Sequence, residues 1–233
     1  PKLKKFYFIK KDVSKYYFKK ELVWSDIIIN SIGWTRHAIA RKNLKINKQI
    51  NYDVVNIILK QLKNIKQKKT FIHLGSITQF SNLKKNIIKD NSTLSSTDSI
   101  GIFKIKSEKL IMKYSKNHKL NIACIRLGNC FNDQLPIGKE DSGLISTLIY
   151  DLLKKKETIV YGKDRLRNIA YIPDIAKYIE KLSNNKFNGY IPINYIGKMI
   201  TIEKLLKKII SRLGFGKIIT KEMPNEIKKF DTS

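Results

Sequence analysis

The chain has 233 residues, 42% of them hydrophobic, enough for one substantial core with a smaller second lobe. No apolar run approaches the roughly 18–20 residues of a membrane span, so no membrane association is expected. The formal net charge of +28 rests almost wholly on lysines spread along the chain beside abundant Asn and Ile, which reads as biased composition rather than a nucleic-acid interface. It still draws anionic ligands by long-range steering.

In chain order, residues 5–9 (KFYFI) form a short apolar run before a turn at 10–14 and are expected as a strand, followed by a short basic helix at 15–22. Residues 26–30 (DIIIN) are a continuous β-branched run ending at Asn30-Ser31-Ile32-Gly33, as expected of a parallel strand buried on both faces. Residues 51–66 carry Val54, Val55, Ile58, Leu59 and Leu62 on one stripe of an amphipathic helix. A strand at 70–74 leads to Gly75-Ser76, and the Ser/Thr-rich stretch 82–98 is expected as a loop. Helix 100–116 and strand 121–127 follow. In that helix Lys104 and Glu108 share a face, with Ile100 one turn earlier. The β-α-β-α-β-α-β order, with crossover-length connections, predicts a parallel, doubly wound α/β sheet.

Beyond Gly128-Asn129 the predicted elements are helix 144–155, strand 158–161, a loop or strand at 165–173, and a helix capped by Asp174. Strand 190–194, a turn at Gly197 and a helix capped by Thr201 and running to about Leu213 complete the set. This half is expected as a smaller α/β lobe, giving domains at 1–133 and 134–233. Cys124 and Cys130 flank the end of one strand without metal-ligand spacing and read as free thiols of a reducing cytoplasm. His37, His73 and His118 share no ligand spacing either, so no metal is expected; His73 reads as buried in its strand and the other two as surface.

The motifs resemble, in order, those of the extended short-chain dehydrogenase/reductase family, the nucleotide-sugar epimerases and dehydratases. Asp12-Val13 and Asp26–Ile29 resemble the family's acidic residue after its third strand and its D-V-V-I-H strand, and Asn51 stands where the family has Asn in the following helix. Residues 71–80 (FIHLGSITQF) resemble the segment with S-S-x-x-V-Y-G, so Ser76 falls on the catalytic Ser/Thr. Residues 100–108 resemble Y-G-x-S-K-x-x-x-E, with Lys104 on the lysine and Ile100 on the tyrosine. Residues 126–131 resemble R-x-x-N-V-Y-G, residues 162–176 resemble G-x-G-x-x-R-D-F-I-Y-V-D-D-V-A, and residues 193–201 resemble Y-N-V-G-x-G-x-x-x-S.

The resemblance implies a Rossmann-like fold, an NAD or NADP cofactor, a nucleotide-sugar substrate and hydride transfer; it also allows a homodimer through helices 51–66 and 100–116. It implies Lys104 and Ser76 as catalytic residues, Asp12, Asn30, Gly33 and Lys104 as cofactor contacts, and Asn129 and Arg167 as substrate contacts. Each has a plainer alternative: an exposed helix lysine for Lys104, turn residues for Ser76, Asp12, Gly33 and Asn129, an ion pair with Asp174 for Arg167. Three departures stand against the pattern. The family's G-x-x-G-x-x-G loop is absent, the chain stops at residues 230–233 where the family continues, and Ile100 replaces the tyrosine. The chain therefore reads as a fragment lacking the first strands. A phenol of pKa roughly 10 is lowered by a lysine one turn away until it can exchange a proton near neutral pH, and isoleucine has no proton to exchange. A non-catalytic binding or scaffold relative is the alternative; a basic nucleic-acid-binding protein is a third, supported by charge alone.

Overall fold

The computed structural model describes residues 6–82, 87–117, 120–134, 143–185 and 187–225. The first half runs α1 (Lys19–Trp24), β1 (Ile27–Asn30), α2 (His37–Lys42), α3 (Leu44–Lys48), a π-helical turn at Gln49–Asp53, α4 (Val54–Leu62) and β2 (Lys69–Ser76). A 3-10 turn at Ile77–Phe80, α5 (Ser99–Asn117), β3 (Leu120–Leu127) and β4 (Asn129–Phe131) follow. The second half is α6 (Gly143–Lys155), β5 (Glu157–Tyr161), β6 (Leu166–Tyr171), α7 (Ile172–Asn184), β7 (Tyr190–Asn194), β8 (Lys198–Thr201), α8 (Ile202–Leu213) and β9 (Lys217–Lys221).

The main sheet is all parallel, in the order β1-β2-β3-β7. Its central strands are apolar on both faces because both are covered. Phe71, Ile122 and Cys124 face α4 and α5, whose Val55, Leu59, Leu62 and Ile111 are buried against them. Ile72, Ala123 and Ile125 face α7 through Tyr178, Ile179 and Leu182. Each Phe, Ile, Val or Leu among them that is fully removed from water contributes about 1.5–3 kcal/mol. The fold is thus the expected Rossmann-like α/β sandwich. A second sheet, β4-β6-β8, and a parallel pair, β5-β9, share a separate core with α6 and α8. Strand β7 comes from the second half of the chain yet completes the main sheet. Thr201 caps α8 as expected, its Oγ1 accepting from Lys204 N–H at 3.2 Å, and Gly214 ends the helix at φ +77°.

Several elements differ from expectation. Residues 6–9 form no strand; Phe6, Tyr7 and Phe8 are exposed, and an apolar run without a neighbouring strand has no ladder to join. Residue 5 and His118 lie outside the described residues, as do residues 83–86 of the expected 82–98 loop and residues 230–233. The first helix begins at Lys19 rather than at residue 15, because Asp12 organises a turn in which its carbonyl accepts from Lys15 and Tyr16 N–H. Asp174 lies inside the first turn of α7; Tyr171 is the N-cap and Pro173 fills an early position whose N–H would have no helical partner. Short helices α2 and α3, and strands β4, β8 and β9, are too brief for a periodicity to reveal. Among the described residues no helix is long and apolar enough to cross a membrane, and no group of three or more His, Cys, Asp or Glu side chains could hold a metal ion.

Candidate active site

The site gathers at the C-terminal ends of β1, β2 and β3, where ligands bind parallel sheets of this kind. Register sets the row: Asn30 pairs with His73, and His73 with Cys124. Asn30 is buried, its Nδ2 lies 3.0 Å from His73 Nδ1, and its Oδ1 accepts from Ile32 N–H at 3.1 Å. That second bond turns the chain toward Gly33.

Lys104 is buried, not an exposed helix lysine, at 6% exposure. Its Nζ donates to the Leu74 carbonyl at 3.0 Å, tying α5 to β2 two residues before Ser76. A Cβ on Gly33 would stand 2.9 Å from Lys104 Nζ and 3.4 Å from Asn51 Oδ1. Glycine at 33 therefore leaves room directly beside the ammonium. Burial pulls the Lys104 ammonium down to about 8, with the neighbouring Cys124 thiol acting in the other direction. His73 is held well below its ordinary value by burial and by the Lys104 charge, so it is a neutral ring.

Ser76 caps the 3-10 turn. Its Oγ accepts from Thr78 N–H at 3.2 Å and from Thr78 Oγ1 at 3.0 Å. Both bonds use the oxygen, which leaves the Ser76 proton to donate to an incoming oxygen. The turn reading and the site reading of Ser76 are therefore compatible. Ile100 is the second residue of α5 and is buried at 2% exposure. Its N–H and that of Gly101 donate to Asp98 Oδ1, which caps the helix, at 2.9 and 3.4 Å.

The remaining expected residues lie further out. Asp12 is exposed, its Oδ1 accepting from Ser14 N–H and Oγ at 2.9 and 2.7 Å, the geometry of a turn aspartate. Asn129 starts β4 just beyond the β3 residue that pairs with Ser76, and its Nδ2 donates to Asn168 O at 3.3 Å. Arg167 is on β6, two residues before the partner of Asn129, with Nη1 donating to Leu166 O at 2.8 Å. A groove of about 810 Å³ runs along the outer edge of β1, lined by residues such as Phe18, Trp24 and Ile28, and meets the site only at Asn30 and Ile32. Its lining is mostly apolar and includes neither Ser76 nor Lys104.

Five residues outside the expected set, Asn51, Gln79, Glu108, Arg126 and Tyr190, frame the site. Asn51, in the π-helical turn, accepts from Trp34 N–H at 3.1 Å and donates to Trp34 O at 3.2 Å, fixing the loop after Gly33. Glu108 is buried and receives Arg126 through two nitrogens, Nε at 3.1 Å and the closer Nη2. Tyr190 Oη also donates to Glu108, and Gln79 Nε2 donates to it at 2.6 Å. Burial, then the Cys124 thiol and Glu108, push the Tyr190 phenol far up. Burial works against the Arg126 charge, but the hydrogen bond and charge of Glu108 outweigh it and hold the guanidinium above its ordinary value. The sequence signals for Glu108 and Arg126 were their places in the Tyr-x-x-x-Lys-type helix and the 126–131 motif; nothing in the sequence flagged Gln79 or Tyr190.

The model of the NAD dependent epimerase/dehydratase family matches residues 18–195. The chain belongs to this family. Among solved structures it is similar to a UDP-N-acetylglucosamine 4-epimerase from Methanobrevibacter ruminantium M1 in complex with UDP-N-acetylmuramic acid. The TM-score is 0.83 at 19% identity, covering 93% of this chain and 70% of that one. A UDP-glucuronic acid 4-epimerase from Bacillus cereus, in complex with UDP-glucuronic acid and NAD, matches with TM-score 0.80 and 18% identity over 97% of this chain and 76% of that one. RMD from Pseudomonas aeruginosa, complexed with NADPH, matches with TM-score 0.77 and 16% identity over 95% and 80%. No curated protein sequence matches the chain. At these identities the structures establish the shared fold.

Proposed function

We propose that the protein binds a nucleotide sugar together with NAD or NADP and acts by hydride transfer of the epimerase or dehydratase type. The observation that carries this reading is the buried Lys104 ammonium, open toward Gly33 and tied to β2 two residues before the Ser76 hydroxyl. A cation from α5 and a hydroxyl donor meeting at the end of β2 suit a ribose on one side and a sugar oxygen on the other.

The space at Gly33 fits the nicotinamide end of the cofactor, where a side chain would collide with Lys104. When bound, the nicotinamide takes and returns hydride. Lys104 holds the ribose hydroxyls, Asn30 and Gly33 shape the floor beneath them, and Asp12 is assigned to the adenine end. Ser76 donates to the sugar oxygen. Asn129 and Arg167, on neighbouring strands, take the diphosphate side, where a guanidinium fork suits two anionic oxygens. The two free cysteines suit a reducing cytoplasm.

Ile100 favours a second reading, a relative that binds without turnover. It is buried where the proton-exchanging phenol belongs. Calorimetric titration of the complete protein with NAD and with UDP-N-acetylglucosamine or UDP-glucuronic acid tests the shared part of both. Binding is expected for the dinucleotide and at least one sugar; no binding of either class refutes both.

A further inference from the structure

Gln79 has no exposure to solvent. Its side-chain oxygen accepts the Ser76 backbone N–H at 3.0 Å, and its side-chain nitrogen donates to Glu108 Oε2 at 2.6 Å. The amide orientation is fixed by chemistry, because an N–H must meet an oxygen and a carboxylate cannot donate. Glu108 is anchored in turn by Arg126 and Tyr190, so it does not follow Gln79 if Ser76 shifts. Glu108 also lies one turn after Lys104 on α5. The Gln79 amide therefore connects the backbone that carries the Ser76 hydroxyl to the helix that carries the Lys104 ammonium. Gly75 makes the connection sterically possible: a Cβ there would come within 2.8 Å of Gln79 Oε1.

We propose that Gln79 is a positioning residue that holds Ser76 in fixed relation to Lys104 through the buried Glu108 carboxylate. It rests on the reading of Ser76 as the hydroxyl that meets the sugar. Valine at this position fills space but can neither accept from Ser76 nor donate to Glu108. The chain thus sets the Ser76–Lys104 geometry with a side-chain relay rather than by packing alone.

The test has one readout that needs no ligand. Amide hydrogen exchange of the full chain, followed by NMR, is compared for wild type, Gln79→Val and Gln79→Glu. In Gln79→Val the Ser76 amide is expected to exchange at least about tenfold faster, with Phe71 and Ile72 unchanged. Gln79→Glu guards against a misfolded valine variant. Its neutral acid offers an oxygen and an O–H to the same partners, so protection matches wild type at low pH. It is lost as pH rises, because two carboxylates in contact resist joint ionisation. The second readout is UDP-N-acetylglucosamine affinity, expected to fall about tenfold in Gln79→Val but by less than about twofold in a Ser76→Ala background, since coupled residues are non-additive. Unchanged Ser76 exchange in both variants, or an equal affinity loss in both backgrounds, overturns the proposal. If wild type binds no nucleotide sugar, the functional reading fails, and the exchange data still decide whether Gln79 holds Ser76.

Discussion

Lys104 Nζ donates to the Leu74 carbonyl at 3.0 Å while almost wholly removed from water. Burial lowers its pKa to about 8, below the 10.5 of a free lysine. The unfolded chain therefore binds the extra proton between those values, and stability must rise with pH across that window. The penalty is fully present below pH 8 and is relieved as Lys104 deprotonates in the folded state. Its size is on the order of 3 kcal/mol. Urea unfolding from pH 7 to 10.5 should show this rise in wild type and not in Lys104→Met, the difference between the two curves isolating the lysine.

Glu108 and Arg126 form a buried ion pair with two contacts. Glu108→Ala strands the Arg126 guanidinium in the interior, at a cost of about 3–5 kcal/mol. Denaturant midpoints at constant slope check the loss, and a change under about 1 kcal/mol is incompatible with the pairing.

Asp98 caps α5 and also receives His37 at 3.1 Å and Arg41 at 3.2 Å. Burial would raise its carboxyl, but His37 and the Ile100 and Gly101 N–H groups outweigh that and hold it below the ordinary value. A depressed acid contributes stability above its unfolded pKa and loses it as pH falls through the folded one. The loss is confined to the region below about pH 4. Asp98→Ala should cost about 1–2 kcal/mol at pH 7 and flatten that acid limb, as thermal melts from pH 7 to 3 would record.

Gly101 sits in the first turn of α5, where alanine ordinarily gains about 1 kcal/mol over glycine. Here a Cβ would meet the Thr78 carbonyl oxygen at 2.4 Å and Ser96 Oγ at 2.1 Å. Gly101→Ala is therefore expected to destabilise by about 1–3 kcal/mol. A neutral or stabilising result in a thermal melt contradicts the close approach of α5 to the 3-10 turn.

The central strands and α4 were legible because burial on both faces, or on one stripe, writes itself into continuous or 3.6-spaced apolar residues. Residues 71–74, 122–125 and 54–62 are the plainest cases, whereas β1, expected to be buried on both faces, is an edge strand with Ile27 and Ile29 exposed. Residues 5–9 were misleading for the same reason, since an apolar run signals a strand only where a neighbour exists to pair with. Motif order pointed to Lys104 and Ser76, which the fold brings to the end of β2. Their linkage was not legible: Gln79 meets Glu108 across 29 positions and Tyr190 meets it across 82, and such meetings depend on sheet register. Gln79 carried no signal of its own in the sequence, and only its complete burial draws notice to it.

The most direct measurement is reduced-nicotinamide absorbance after mixing the complete protein with NAD and a UDP-sugar, in wild type and in Ile100→Tyr. Restoring the phenol one turn before Lys104 returns a proton-exchanging group worth about 10²–10⁴ in rate. The account predicts slow or undetectable hydride transfer in wild type and a gain of that order in Ile100→Tyr. Absence of reduced nicotinamide in both, with the variant folded and both ligands bound, would contradict it.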